Sequence, residues 1–259
     1  MELTRILYEK NDGVATITLN VPEKLNAMDL VMREEFHDML VEASADKDVR
    51  AIIWTGAGRS FCSGSDIGTM EESPPNAVRR RLIRLHRIPK LILDMEKPVI
   101  AAVNGHCYGA AFNMALACDY LICDEKAKFC QSFVKIGLIP DAGAFYMLSR
   151  RVGVHKAKEL VLFATALNAQ EAVELGIANR SAKNEELLTE VYKVAKQLAD
   201  GPTVAIGLAK VVMNRCLEKT LEQALSEESF AQEICTHTAD FTEGVKSFME
   251  KRPPKYLGR

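Results

Sequence analysis

The sequence predicts an α/β fold followed by a helical C-terminal part. Short apolar runs rich in β-branched residues, such as "GVATITLN" and "VRAIIWTGAG", alternate with segments whose apolar residues recur at helical spacing. From about Asn184 onward, almost every segment has the helical pattern. Hydrophobic residues make up 48% of the 259 residues, so the chain can bury a substantial core.

The first elements alternate between the two patterns. Residues 13–20 alternate in polarity and predict a strand, and "VRAIIWTGAG" predicts a buried parallel strand that runs into a loop. A proline break at Pro74 and Pro75 precedes a basic amphipathic helix predicted over about 76–95. Between the two strands, "MDLVMREEFHDMLVEASAD" predicts a helix whose apolar face carries Met32, Phe36, Met39, Leu40 and Ala43.

The middle of the chain continues in the same way. "KPVIAAVNGHCYGAAFNMALACD" predicts a strand, a glycine turn and a helix, and "YLICDEKAKFCQ" predicts two short strands around an Asp-Glu turn. A helix is predicted to begin at "VHKAKELVLFATAL". In "NAQEAVELGIANR", Asn168 is a suitable N-cap with Glu171 at the third helical position, and a glycine stop and a short strand follow.

The bulk numbers exclude several classes of protein. A net charge of -2 and a pI of about 6.3 do not indicate a partner among nucleic acids or membrane surfaces. The seven cysteines form no CxxC pair, and Cys118, Cys123 and Cys130 lie in apolar runs, which indicates buried reduced thiols and no metal site. No signal-peptide pattern and no apolar run of about 18 residues is present, so we expect a soluble cytoplasmic protein.

Two glycine-rich turns are candidates for chemistry. They are "FCSGSDI", residues 61–67, and "NGHCYGAAFNMA", residues 104–115, each after a predicted strand. Exposed amides at such a turn can bind an anion, and two of them aimed at one carbonyl oxygen would form an oxyanion hole. Tight strand-to-helix turns also require small residues for structural reasons alone, so this pattern by itself leaves both interpretations open.

The strings "NVPEKLNAMD", "GRSFCSGSDI", "KPVIAAVNGHCYGAAFNMALACD", "AKFCQSFVKIGLIPDAG" and "NAQEAVELGIANR" resemble, in order and spacing, the crotonase superfamily of enoyl-CoA hydratases and isomerases. The resemblance covers nearly the whole chain. It implies a crotonase-like spiral of ββα units over residues 1–195, which binds an acyl-CoA thioester. It also implies a helical trimerisation region over 196–259, a homotrimer or hexamer, and no cofactor apart from the coenzyme A of the substrate.

The resemblance also implies roles for individual residues. The N–H groups of Ser65 and Ala110 take the two oxyanion positions, where the family usually has Ala and Gly. The two glutamates of the family's hydratases are replaced by Asn113 and Phe133. Asn113 exchanges no proton at neutral pH and Phe133 exchanges none at all, which argues against ordinary hydratase activity.

The segment "GLIPDAG" places a single acid, Asp141, where several isomerase branches of this family have their catalytic carboxylate. One carboxylate in an apolar pocket, with a raised pKa, suffices to move a proton between two carbons of an enoyl thioester. The alternative is that Asp141 only caps a helix that starts near Ala142. The expected pocket wall consists of Phe133, Ile136, Phe145 and Tyr146.

Further substrate-binding positions follow from the same resemblance. Lys24 and Leu25 match the loop that contacts adenine and pantetheine, and Phe248 and Lys251 match residues that approach the CoA nucleotide, often from a neighbouring subunit. Lys251 can equally be a surface lysine. His86 and His106 are interpreted as structural or surface histidines, with a position facing the pocket as the alternative for His86. A basic cluster is interpreted as a solvated helix face or as a neighbour of the CoA phosphates, and it consists of Arg79, Arg80, Arg81, Arg84, Arg87 and Lys90. The remaining predicted contacts are Ala27, Ser63, Asp66, Ile67, Gly109, Asn113 and Phe133.

Three functions remain open from the sequence. The first is an isomerase that shifts an acyl-CoA double bond through Asp141. The second is another reaction on the same scaffold, such as hydration, hydrolysis, dehalogenation or ring opening. The third is acyl-CoA binding without catalysis. The sequence fixes neither the acyl group nor the choice between trimer and hexamer.

Overall fold

The computed structural model of the chain describes residues 3–69 and 76–259, so the predicted proline break at Pro74 and Pro75 lies outside the described residues. The strands are β1 (Ile6–Asn11), β2 (Val14–Leu19), β3 (Ala51–Gly56), β4 (Ser60–Cys62), β5 (Val99–Val103), β6 (His106–Tyr108), β7 (Tyr120–Asp124), β8 (Lys128–Cys130), β9 (Ala166–Asn168) and β10 (Arg180–Ala182). The α-helices are α1 (Leu30–Ala45), α2 (Ala77–Leu85), α3 (Arg87–Asp94), α4 (Gly109–Leu116), α5 (Ala144–Leu162), α6 (Ala169–Glu174), α7 (Asn184–Ala199), α8 (Thr203–Cys216), α9 (Leu221–Thr236) and α10 (Ala239–Glu250).

The strands form two sheets that the chain visits in turn. One sheet has the order β1-β2-β3-β5-β7-β10, and the other has the order β4-β6-β8-β9. The pairs β3–β5–β7 and β4–β6–β8 are parallel, whereas β1–β2 and β8–β9 are antiparallel. The successive pairs β3 and β4, β5 and β6, and β7 and β8 each add one strand to each sheet before a helix follows, which produces the repeating ββα units that the resemblance implies.

Helices cover both faces of the larger sheet. Ile52 and Trp54 of β3 point into the core that α1 closes, and Ile53 points into a second core with Leu187 and Val191 of α7. Because successive side chains of a strand alternate between faces, a strand covered on both faces is continuously apolar. All six residues of β3 are buried, as the unbroken apolar run predicted.

Several predicted elements are confirmed. The apolar face predicted for the first helix is buried in α1, and Asn168 forms a capping box with Glu171 at the start of α6. The helical C-terminal part consists of α7 to α10. The division of the chain between residues 195 and 196 stays a prediction, and α7 runs across that point.

Three elements differ from the prediction. The single helix predicted over 76–95 is two helices, α2 and α3, because Pro89 has no N–H to donate to the Leu85 carbonyl and interrupts a continuous ladder. Helix α5 begins ten residues before the predicted start at Val154 and includes a non-helical Gly153. Strand β1 was not predicted, because only Ile6 in it is buried and the strand lies at the sheet edge.

In the described parts of the chain, none of the helices combines the length and apolarity that a bilayer span requires. Within the same residues, no cluster of three or more His, Cys, Asp or Glu side chains has the geometry to hold a metal ion. All seven cysteines are free thiols, and Cys118, Cys123 and Cys130 are buried as predicted.

Candidate active site

The two glycine-rich turns meet at the ends of β4 and β6. Gly64 has φ +102° and Gly109 has φ +56°, which are conformations that residues with a Cβ adopt at a cost. A Cβ built on Gly64 would lie 3.1 Å from the Tyr108 carbonyl oxygen and 3.8 Å from the Gly109 Cα. The glycines therefore allow the two turns to approach closely, which brings the following residues, Ser65 and Ala110, next to each other.

The loop predicted to contact coenzyme A supports the first turn. The Met28 N–H donates to the Gly64 carbonyl at 2.8 Å, and the Asp66 N–H donates to the Met28 carbonyl at 3.1 Å. The Ser63 N–H donates to the Leu25 carbonyl at 3.0 Å. These bonds hold residues 24–28 alongside residues 63–66 and fix the backbone around Ser65.

The amides of Ser65 and Ala110 have no acceptor within the described residues. Ala110 belongs to the first turn of α4, where backbone N–H groups lack an intrahelical partner. Ser65 pairs with Met28 in an isolated parallel β-bridge. The two hydrogen bonds of this bridge are donated by the amides of Met28 and Asp66, so the Ser65 amide takes no part in them. Two neighbouring amides without acceptors can stabilise an oxygen that becomes negative during a reaction.

A cavity of about 820 Å³ joins the first of these amides to the predicted acid. Ser65 and Asp141 both line it. Its remaining wall is mostly apolar, and the polar exceptions are Arg33, Arg81 and His86. The apolar part of the wall includes Leu30, Leu82, Leu138, Ile139 and Phe145.

The side chain of Asp141 does not cap a helix. Helix α5 begins at Ala144 with Gly143 as its N-cap residue, and no side chain caps it. The Asp141 Oδ1 is buried without a hydrogen-bond partner, and only the Asp141 main-chain carbonyl accepts the Ala144 N–H, at 3.0 Å. The capping alternative is therefore wrong, and the carboxylate retains an unused acceptor inside the cavity.

Burial raises the pKa of Asp141 above its ordinary value, because the charged form loses hydration in the cavity. The nearby Arg33 guanidinium and His86 partly offset this rise. A carboxyl group with a raised pKa is a better proton acceptor when ionised than one in water, which suits an acid/base role.

The Asn113 side chain holds the main chain of Asp141 through a hydrogen bond. Its Nδ2 donates to the Asp141 carbonyl oxygen at 3.0 Å, and its Oδ1 accepts a bond from Gln131 Nε2 at 2.6 Å. Asn113 and Gln131 are both fully buried. Asn113 thus connects α4 to the Asp141 turn and does not line the cavity described above.

The predicted aromatic wall is right in part. Phe145 and Tyr146 line the cavity, whereas Ile136 is exposed and does not line it. Phe133 also does not line this cavity, but it is buried beside the glycine turns, and its Cζ lies 3.7 Å from a Cβ built on Gly109. The Phe133 ring occupies that side of the site and has no acidic or basic group that could exchange a proton.

The predicted coenzyme A contacts lie in two places. Lys24 forms an ion pair with Asp66 at 3.2 Å, next to the Ser65 turn, and the Ala27 N–H donates to the Lys24 carbonyl at 3.1 Å. Ile67 follows that turn and is exposed. Phe248 lies in α10 and Lys251 ends that helix; both are exposed, and neither lines the cavity with Asp141.

Of the three polar residues Arg33, Arg81 and His86 in the cavity wall, Arg33 was not predicted from the sequence. His86 was given a position facing the pocket only as the alternative to a structural or surface one, and Arg81 was named only as part of the basic cluster. The available signal was spacing, because Leu30 and Arg33 are three residues apart on α1 and so share one face. His106 lies outside this cavity, with its ring packed edge-on against Tyr108 at 5.1 Å.

A second cavity of about 1140 Å³ adjoins the first. His86, Gly143 and Tyr146 line both, and the rest of the second wall comes mainly from α3, α8 and α9. The Arg150 guanidinium lies over the Tyr146 ring at 3.5 Å and supports this shared wall. The shared residues place the cavity that contains Asp141 next to this larger one.

Comparison with known proteins places the chain among relatives of similar length. Residues 9–259 match the enoyl-CoA hydratase/isomerase family. The chain is 38% identical to a probable enoyl-CoA hydratase of Rhodobacter capsulatus, with 100% of both chains covered, and 34% identical to the 1,2-epoxyphenylacetyl-CoA isomerase of Escherichia coli K12, with 98% of both covered. The crystal structure of an enoyl-CoA hydratase from Bacillus anthracis superposes with a TM-score of 0.94 at 31% identity, covering 99% of this chain and 100% of that one, which confirms the predicted fold class.

Proposed function

The chain belongs to the enoyl-CoA hydratase/isomerase family, and we propose that within this family it is an isomerase that shifts the double bond of an enoyl-CoA from the Δ3 to the Δ2 position, or a closely related bond. Asp141 is the single acid/base group. The amides of Ser65 and Ala110 stabilise the enolate oxygen. The substrate supplies its own coenzyme A, and no other cofactor takes part.

The proposed reaction moves one proton and is neutral overall. The Asp141 carboxylate removes a proton from C2 of the 3-enoyl thioester, and the electrons of that C–H bond pass into a dienolate. The thioester oxygen carries the new charge and accepts hydrogen bonds from the two amides. Asp141, now protonated, returns the proton to C4, and the double bond settles between C2 and C3.

One observation carries this proposal. Among the described residues of the cavity wall, Asp141 is the only carboxylate, and its Oδ1 has no hydrogen-bond partner. The two positions at which the resemblance would place hydratase glutamates hold Asn113, whose side chain is already engaged by Asp141 and Gln131, and Phe133. Addition of water requires a group that deprotonates the water and a group that protonates carbon, and a single acid suits proton relocation better.

Ring-epoxide isomerisation is the second candidate. It is favoured by the similarity to the Escherichia coli 1,2-epoxyphenylacetyl-CoA isomerase and by Phe145 and Tyr146 in the cavity wall, which can pack against a ring. Water addition is a further alternative, because some relatives have hydratase names. The last alternative is binding of the acyl-CoA without turnover.

We further propose a homotrimer or a dimer of trimers held together by the helical C-terminal part. Large apolar side chains of α9 and α10 are exposed in the single chain, among them Leu221 (76%), Phe230 (72%) and Phe248 (82%). Exposed apolar groups at this density are typical of an interface. Light scattering after size-exclusion chromatography should give three or six copies, and a monomer would contradict the proposal.

The test of the proposed function follows trans-3-enoyl-CoA conversion by absorbance and chromatography. The parent protein should form trans-2-enoyl-CoA, and Asp141→Asn should lower kcat at least about 100-fold, since a positioned acid/base group contributes about 10²–10⁴. Asp48→Asn, an exposed acid of the surface, is the matched control and should keep parental turnover.

Other products would identify other reactions. Formation of 3-hydroxyacyl-CoA from trans-2-enoyl-CoA at a rate above isomerisation would show a hydratase. Ring expansion of 1,2-epoxyphenylacetyl-CoA without conversion of linear enoyl thioesters would favour the second candidate. Tight binding of all three thioesters without any product would show a binding protein.

A further inference from the structure

One nitrogen of the Arg33 guanidinium lacks a hydrogen-bond partner in the described structure. Its Nε is buried without a hydrogen-bond partner, and no ion pair joins Arg33 to an acid in residues 3–69 and 76–259. A buried N–H group normally has an acceptor, because an unsatisfied buried donor loses its hydration without compensation. The Arg33 Nε therefore lacks an acceptor among the described residues.

The position of Arg33 indicates where that acceptor belongs. Arg33 lines the acyl cavity together with Ser65 and Asp141, so it shares a space with the predicted reaction site. It is close enough to Asp141 for each side chain to affect the pKa of the other, yet the two form no ion pair. A second guanidinium, that of Arg81, lies on the same wall.

The rest of the wall fits an aliphatic chain. Leu30 and Leu82 flank the arginines, and Leu138 and Ile139 come from the segment before Asp141. Methylene groups can pack against this surface while a polar group reaches the guanidinium. A planar guanidinium matches a carboxylate through two parallel hydrogen bonds, which makes the carboxylate its best anionic partner in such a site.

We propose that the cavity accepts an acyl group that ends in a carboxylate, bound by the guanidinium of Arg33, so that the preferred ligand is the mono-CoA ester of a dicarboxylic acid. This inference rests on the proposed function only in taking an acyl-CoA as the ligand. It predicts a preference in binding that is present whether or not the bound thioester reacts.

The experiment measures binding of unreactive saturated thioesters by calorimetry. Succinyl-, adipoyl- and suberoyl-CoA are compared with butyryl-, hexanoyl- and octanoyl-CoA, which have the same chain lengths without the second carboxylate. The parent should bind at least one dicarboxylic ester about 10- to 100-fold more tightly than its matched partner, the range expected for a hydrogen-bonded charge pair.

Two variants of Arg33 assign the preference to this residue. Arg33→Met should abolish the preference while retaining affinity for the monocarboxylic series, and Arg33→Lys should retain part of it because the charge remains. Arg87→Met is the matched control, since Arg87 is exposed and pairs with Glu34 at 2.6 Å. Thermal unfolding of each variant establishes that it is folded.

Two outcomes would overturn the inference. One is equal affinity of the parent for both members of every pair. The other is a preference that persists in Arg33→Met. If Arg33→Met instead changes kcat equally for all reactive substrates and shifts the pH profile of turnover, Arg33 acts on Asp141 and not on the ligand. Failure of isomerisation with the binding preference intact would reject the proposed reaction and leave this inference standing.

Discussion

The close approach of the two glycine turns makes Gly64→Ala the most informative backbone change. An alanine at this position would have to keep φ at +102°, which costs about 1–3 kcal/mol in a residue with a Cβ. Its Cβ would lie 3.1 Å from the Tyr108 carbonyl oxygen, so the two turns would have to separate by a few tenths of an ångström. This movement displaces the Ser65 amide from the Ala110 amide.

The effect on turnover can be bounded. Complete loss of one oxyanion donor costs about 2.7–4 kcal/mol of transition-state stabilisation, or about 10²–10³ in kcat. A displaced donor retains part of its interaction, so we expect kcat of Gly64→Ala to fall about 10- to 100-fold. The backbone cost should lower Tm by about 2–4 °C for each kcal/mol in a chain of this size.

Gly176→Ala separates strain from chemistry. Gly176 also has a positive φ, +70°, but a Cβ built on it has no neighbour within 4 Å. This control should lose a similar amount of thermal stability and keep parental kcat in the enoyl-CoA assay. Parental turnover in a folded Gly64→Ala protein, or an equal loss of turnover in Gly176→Ala, would refute the assignment of the oxyanion site.

Three further predictions concern buried polar groups. Burial raises the pKa of Asp141, so its ionised form destabilises the folded protein and Asp141→Asn should raise Tm at neutral pH. The gain in Tm should shrink as the pH falls through the raised folded pKa toward the ordinary pKa of a carboxyl group. An unchanged gain at low pH would contradict this. Asn113→Ala should cost about 1–3 kcal/mol in urea unfolding and lower kcat, since it frees the Asp141 turn and leaves the Gln131 amide unpaired; an unaltered midpoint would refute this. Lys210→Met removes the ion pair at 2.8 Å to Asp119, whose side chain is 21% exposed and still accepts the Val99 N–H. The variant should therefore cost about 1–3 kcal/mol in urea unfolding, and Asp119→Asn in the same chain should recover much of the loss.

The sequence was sufficient where the local pattern agreed with the tertiary environment. The face of α1 and the capping box of α6 depend on spacing within one segment, and both were predicted correctly. Strand β3 is continuously apolar because it is covered on both faces, so its run could be read directly. The family resemblance supplied the order of the ββα units, which spacing alone could not.

The misses have physical causes that no local pattern contains. The predicted basic helix is divided because Pro89 has no N–H to donate to the Leu85 carbonyl. The amphipathic pattern continues across this point, so it predicted one helix. Strand β1 exposes most of its residues and gains its identity from antiparallel pairing with β2. Arg33 lines the same cavity as Asp141, which is more than a hundred residues away in the chain and reaches that space only after folding.

Proton exchange and double-bond migration of trans-3-enoyl-CoA in deuterated water, followed by NMR for the parent and for Asp141→Asn, test whether Asp141 carries the proton. We expect the parent to form trans-2-enoyl-CoA and to exchange protons at C2 and C4. We expect Asp141→Asn to lose exchange and migration together, since one carboxyl group performs both proton transfers. Migration or exchange at the parental rate in a folded Asp141→Asn protein would contradict the claim.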